Sequence, residues 1–293
     1  MRESGEKYVN PFTDFGFKKI FGEEPNKALL IDFLGELLRD EESEIVDLEY
    51  MNNEQIGRLE TDRRAIFDLY CRSQSGERFI VELQKTKQKN FRDRSLYYAT
   101  FPIQEQGKRG SDWDFELKRV YMVAILDFIF DEDKNQPEKF RYNVRLTEEE
   151  SNELFHDKMN FVYLEMPKFN KRLEDLESHF DKWMYALKNM NILEDVPEGL
   201  REDVFLRLFD IAEIAKFNQD ESRVYEGSLK YYRSLNNSLD TAREDSYREG
   251  RREGWDERTY DLALKLLGQG VSSDVIARVT GLSPDELGRL EEG

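Results

Sequence analysis

Two short runs, Ile66-Phe67-Asp68-Leu69-Tyr70 and Ile80-Val81-Glu82-Leu83-Gln84, joined through the turn Gln74-Ser75-Gly76-Glu77, decide how the 293-residue sequence is read. Both are rich in the β-branched, aromatic and aliphatic side chains that suit a pleated, half-buried surface. The polar, glycine-containing turn between them makes the two strands antiparallel neighbours. Side chains alternate along a strand, so Ile66, Asp68 and Tyr70 are expected on one face and Ile80, Glu82 and Gln84 on one face of the partner. Phe67, Leu69, Val81 and Leu83 then point the other way. Paired across the turn, Asp68 and Glu82 lie side by side among bulky apolar neighbours. Two such carboxylates repel each other and resist desolvation unless a cation sits between them. A hard divalent ion meets that need, because Mg²⁺ takes one or two carboxylates and fills its shell with water and phosphate oxygens. The competing reading is a solvated sheet face on which the two acids pair with Arg63, Arg64 or Arg94.

Working outward, Asn10-Pro11-Phe12-Thr13-Asp14 followed by Phe15, Phe17, Ile20 and Phe21 reads as a short helix with an aromatic face. Pro25 opens a second helix with Ala28, Leu29, Phe33, Leu34 and Leu37 turned inward. After an acidic turn at 39–44, strands are expected over 45–51, 65–71 and 78–84. A helix follows over about 90–106, then the most apolar strand of the chain, 120–130, of the kind buried at a sheet centre. Further strands are expected near 141–146 and 160–165. This order is that of an α/β sheet covered by helices. From about 173 the pattern is helical: 173–191 and 199–217 are amphipathic, and 220–268 is long and highly charged. The tail from Gly270 reads as two short capped helices. The expected division is therefore 1–169 as an α/β domain, 170–268 as a helical region or arm, and 269–293 as a small helix–turn–helix-like tail.

Hydrophobic residues make up 39% of the chain, enough for a packed core, and the single cysteine excludes an internal disulfide. No apolar run approaches the length of a membrane helix, and the N-terminal residues lack a signal-peptide core, so a cytoplasmic protein is expected. The formal net charge of −18 argues against nucleic acid as a partner. Its distribution softens that objection. The stretch 84–109 holds Lys85, Lys87, Lys89, Arg92, Arg94, Lys108 and Arg109 against Asp93 and Glu105, which on charge alone reads equally as a surface for DNA or as a solvated helix face.

Asn10 to Gly22, Ile66 to Cys71, Phe79 to Gln84 and Phe91-Arg92-Asp93-Arg94-Ser95-Leu96-Tyr97-Tyr98 together resemble the PD-(D/E)XK nuclease family transposases, also called recombination-promoting nucleases. The resemblance implies a restriction-endonuclease-like core, Mg²⁺ or Mn²⁺ as cofactor, DNA as substrate, and a part in recombination, mobile elements or defence. By position, Asp68 and Glu82 match the metal ligands, with the Leu83 backbone carbonyl beside them. Gln84 matches the glutamine this group carries where related enzymes have lysine, and would orient the attacking water. Uncharged at all pH values, it cannot be a general base. Asp14 matches an acidic position on the first helix, which either completes the metal shell or satisfies the helix dipole. Lys85, Lys87, Lys89, Arg92, Arg94 and Tyr98 are the candidate DNA contacts. Lys85 falls on the opposite face from Gln84 in a regular strand. The charged C-terminal helices imply a homodimer or larger homo-oligomer. Against the enzyme stands a catalytically inactive nuclease-fold module for DNA binding or self-association, which the acidic charge balance favours.

Overall fold

The computed structural model describes residues 6–39, 44–55, 65–107 and 116–291. Arg63, Arg64, Lys108, Arg109 and the centre of the acidic turn (40–43) lie outside the described residues. Helix α1 (Asp14–Phe21) starts where Thr13 closes a turn: its hydroxyl donates to the Asn10 carbonyl at 2.8 Å and accepts from Gly16 N at 3.0 Å. Phe17, Ile20 and Phe21 are buried along it. Helix α2 (Lys27–Leu37) follows a single tight turn containing Pro25. It buries Leu29, Leu30, Phe33, Leu34 and Leu37, whereas Ala28, expected inside, is exposed. The inward stripe is phased on Leu30, Phe33, Leu34 and Leu37, at i, i+3, i+4 and i+7, and Ala28 falls on its far side.

The strands are β1 (Leu48–Tyr50), β2 (Glu54–Gln55), β3 (Ala65–Ile66), β4 (Leu69–Ser73), β5 (Arg78–Gln84), β6 (Val120–Leu126), β7 (Arg141–Thr147) and β8 (Leu154–Glu165). Six form one mixed sheet in the order β1-β4-β5-β6-β8-β7, while β2 and β3 make a separate short ribbon. β4 and β5 are antiparallel across the expected turn, where Gly76 takes φ 99°. β5, β6 and β8 run parallel, and helix α3 (Phe91–Gln106) carries the chain from β5 to β6. All of β6 is buried, as a strand covered on both faces must be. On one face Tyr70, Ile80, Met122, Ala124, Leu126 and Tyr163 pack with Phe91 and Ala99 of α3.

The helices expected over 173–191 and 199–217 are shorter: α4 (His179–Asn189) and α5 (Asp203–Ala212). They pack on α1 and α2, with Trp183 against Phe21, Phe33 and Phe205. The Trp183 indole N–H donates to Asp32 at 2.6 Å, which satisfies its polar edge inside this layer. Helix α6 (Gln219–Gly268) runs unbroken through Gly250 and Gly254.

By its contacts the chain divides into Met1–Leu229 and Lys230–Gly293, whereas the sequence reading places boundaries at 169 and 268. The first unit takes in α4, α5 and the first turns of α6, whose Tyr225 hydroxyl accepts from Asn10 N at 3.0 Å. The second unit holds the remainder of α6 with α7 (Ser273–Thr280) and α8 (Pro284–Glu291), closed around Ala263, Ile276 and Leu287. Gly281 ends α7 at φ 75°, and Ser283 with Glu286 caps α8.

Candidate active site

The strand expected over 65–71 is broken at Phe67 and Asp68, and the break builds the site. The last paired residues of β4 and β5 are Leu69 and Val81. One step further the backbone rungs are replaced by side chains: Asp68 N donates to Glu82 Oε1 at 3.1 Å, and Leu83 N donates to Asp68 Oδ2 at 2.8 Å. Leu83 N, which a continued ladder would have paired with a backbone carbonyl of β4, is thus taken by a carboxylate, the competition between acidic side chains and backbone that ends regular structure. Asn53 secures the break, its side-chain amide donating to the Asp68 carbonyl at 2.9 Å and its carbonyl accepting from Phe67 N at 2.9 Å. The break also corrects the expected facing. Ile66 is 64% exposed instead of sharing a face with Tyr70, and Phe67 is buried on the α3 side, 5.5 Å from the Tyr70 ring and 5.2 Å from that of Tyr98. The N–H and C=O of one strand residue point toward the same neighbour. The Leu83 carbonyl therefore points to the side from which β4 has turned away.

Glu82 and Gln84 are buried, facing α3. Gln84 Oε1 accepts from Arg94 Nη2 at 2.8 Å, and its Nε2 donates to the Thr86 carbonyl at 2.8 Å. One N–H and one lone pair of that amide are left over. Arg94 stands 3.6 Å from Glu82 Oε2, an ion pair longer than a hydrogen bond. Its guanidinium lies over the rings of Phe91 at 5.0 Å and Tyr98 at 5.3 Å. Burial first, then the charge of Asp68, pushes the Glu82 carboxyl up to about 8, against the opposing pull of the Asp68 amide and Arg94. Asp68 is raised too, by burial and then by Asp14, opposed by the Leu83 amide, Lys18 and Lys85. Ionising both acids in this buried place costs more than Arg94 offsets.

Asp14 joins the site's field without joining the carboxylate pair: it is ion-paired to Lys85 at 2.6 Å. Lys85 turns from Gln84 to the α1 side of the sheet, as a regular strand requires. Lys87 pairs with Asp131, and Arg92 with Asp133 at 2.8 Å and Glu132 at 3.9 Å. Lys89 is exposed. Of the candidate DNA contacts, Arg94 pairs with Glu82, and Tyr98 and Lys85 lie within reach of the carboxylates' charge. Two contributors escaped the sequence reading. Lys18, one turn beyond Asp14 on α1, was legible from its i, i+4 spacing, whereas Asn53 carries no sequence signal. The open cleft lined by Asp47, Glu49, Arg72, Gln74 and Gly76 lies at the other end of β4.

The model of one family, described as PD-(D/E)XK nuclease family transposase, matches residues 11–242. The chain belongs to this family. No curated protein and no solved structure matches it. The six-stranded mixed sheet with its flanking helices is the α/β fold of a PD-(D/E)XK nuclease, followed by a helical C-terminal region. The match ends within α6, so α7 and α8 lie outside it. PD-(D/E)XK nucleases are hydrolases that generally use divalent metal ions, typically Mg²⁺.

The donors present fit such an ion. Asp68 and Glu82 are hard oxygen donors on neighbouring strands, Glu82 buried and Asp68 half-buried, and both carboxyls are raised. Among the described residues no group of three or more acidic, histidine or cysteine side chains is gathered as a metal cage. Mg²⁺ does not require one, because it usually keeps several waters beside one or two carboxylates. Among the described residues no helix is long and apolar enough to cross a membrane.

Proposed function

We propose that this chain is a Mg²⁺- or Mn²⁺-dependent DNA endonuclease that hydrolyses phosphodiester bonds, with Asp68, Glu82 and Gln84 at its centre. The observation that carries the proposal is the capture of Asp68 N by Glu82 and of Leu83 N by Asp68, which brings both acids to one spot where the β4–β5 ladder ends. Asp68, Glu82 and the Leu83 carbonyl would hold the ion. When bound, the ion supplies an acidified water and neutralises charge gathering on the phosphate. The chain's own residues do the rest. Asp68 and Glu82 must both give up their protons for the site to load. The unused lone pair of Gln84 would accept a hydrogen bond from the attacking water and align it, while Arg94 holds that amide in place. Arg94, stacked on two rings and rigidly aimed, also offers its guanidinium to a phosphate oxygen. Asp14 holds Lys85 at the margin of the site.

We propose a cytoplasmic enzyme acting in recombination, mobile-element movement or defence, a role in keeping with its transposase family. Double-strand cutting would draw two copies together through the helical C-terminal region.

Plasmid nicking and linearisation tests the reading. Cutting is expected with Mg²⁺ or Mn²⁺, none with EDTA, and none for Asp68→Ala or Glu82→Ala proteins that remain folded. Cutting that survives either substitution overturns it. A second reading, a non-catalytic module for DNA binding or self-association, draws on the −18 net charge and on the acidic partners of Lys85, Lys87 and Arg92. Under it, wild-type protein binds or self-associates and leaves the plasmid intact with every metal.

A further inference from the structure

Helix α3 shows water Arg92, Asp93, Gln104 and Glu105, as a surface helix should, but its middle turn departs from that pattern. Its inner side buries Phe91, Ser95, Ala99 and Pro102. Its outer side exposes Leu96 (50%) and Tyr97 (42%) where charged residues are expected. The Tyr97 ring rests edge-on against Phe101 at 5.1 Å, which holds it upright on the helix. Isolated exposed apolar side chains are ordinary, but here the Tyr97 ring lies 6.4 Å from that of Tyr98, on the way to the carboxylates. The next residue, Tyr98, lies under Arg94 and feels the charges of Glu82 and Asp68. Beyond Tyr98 comes Ile66, also exposed, whose backbone is hydrogen-bonded to it. An apolar and aromatic strip therefore leads out from the site.

What could use the strip is decided by the charges around it. Affinity for duplex DNA comes chiefly from cations that neutralise phosphates. Here Lys85, Lys87 and Arg92 face Asp14, Asp131 and Asp133. In a duplex the base faces are also hidden in the stack, where Leu96 and Tyr97 cannot reach them. Unpaired bases present those faces, and stacking them on aromatic side chains gives affinity with few phosphate contacts.

We infer that Tyr97 and Leu96 form a shelf on which unpaired bases stack, so that the preferred substrate is DNA with single-stranded character, such as a flap, gap or loop. This rests on the nuclease reading of the adjacent carboxylates.

The test separates binding from cutting. Fluorescence anisotropy of full-length protein in EDTA would compare a labelled 20-nucleotide single strand with the same strand in a blunt duplex. The single strand is expected to bind roughly tenfold or more tightly. Tyr97→Ala should weaken single-strand binding by roughly tenfold, leave duplex binding nearly unchanged, and be rescued by Tyr97→Phe, which keeps the ring. Both positions are exposed, so the variants should fold. In Mg²⁺, flapped substrate should be cut faster than duplex, with the same dependence on Tyr97. Equal or tighter duplex binding, or indifference to Tyr97→Ala, overturns the shelf even if cutting is observed. Single-strand binding lost in Tyr97→Ala, with no cutting by wild type, keeps the shelf and overturns the nuclease. A wild-type dimer that Tyr97→Ala dissociates assigns the strip to a second copy and also overturns the shelf.

Discussion

Glu82→Gln should stabilise the metal-free protein while abolishing its activity. Glutamine keeps the shape and the oxygen that accepts from Asp68 N, but removes a buried charge beside a second carboxylate. The Glu82 carboxyl rises from 4.5 to about 8 in the fold. An acid whose pKa is higher folded than unfolded costs nothing below its unfolded value. Its penalty grows as pH climbs toward the folded value. Accumulating at about 1.4 kcal/mol per pH unit from 4.5 to 7, the penalty reaches about 3 kcal/mol. Coupling to Asp68 spreads it over the pair, so a gain of about 2–3 kcal/mol is the expected scale. For the Met1–Leu229 unit that corresponds to a rise in Tm of roughly 5–10 °C at pH 7. Thermal melts in EDTA at a series of pH values would check it. The two proteins should melt together near pH 4 and diverge as pH rises. Adding Mg²⁺ should raise the wild type and leave the variant unmoved, because only ligand bound to the folded state shifts Tm. A variant less stable than wild type at neutral pH, or a difference that ignores pH, would refute the reasoning and mean that Arg94 already neutralises the pair.

Three other substitutions or conditions follow from the same geometry. Arg94→Ala should lower cutting by about 10- to 100-fold by releasing the Gln84 amide, without weakening Mn²⁺ binding measured by calorimetry, since it also removes a cation from the site. Cutting at subsaturating Mg²⁺ should rise with pH through neutrality, because both raised carboxyls must lose protons before they ligate; a pH–rate profile should show the rise move to lower pH as Mg²⁺ is increased. Gly16→Ala should destabilise by about 2–3 kcal/mol in urea melts, since its Cβ would stand 2.2 Å from the Asn10 carbonyl oxygen.

Much of this arrangement was legible in the sequence, and the parts that were not have identifiable causes. β5 occupies 78–84 as expected and β6 begins at Val120 as expected, because hydrophobic runs bounded by turn residues leave few alternatives. The antiparallel pairing of β4 with β5 followed from the 74–77 turn, and with it the meeting of Asp68 with Glu82. The break at Phe67 and Asp68 did not follow, because alternation counts side chains and cannot register a carboxylate replacing a backbone acceptor. For that reason Ile66 and Phe67 were assigned the wrong surroundings. Charge patterning reached its limit in another way. The basic run after Gln84 read equally as a DNA-facing stretch or a solvated helix face, and the partners Asp131 and Asp133 come from a segment some forty residues later in the chain, a separation that no local window spans. Arg94 and Tyr98 were foreseen together because four residues is one helical turn.

The central claim is that Asp68 and Glu82 grip one divalent cation. Anomalous diffraction from crystals soaked in millimolar Mn²⁺ tests it most directly. A single peak bridging the two carboxylates at about 2.1–2.2 Å from their oxygens, in reach of the Leu83 carbonyl and absent from Glu82→Gln crystals, is the expected result. No density between the carboxylates, with Arg94 closed onto Glu82 in its place, would contradict the account.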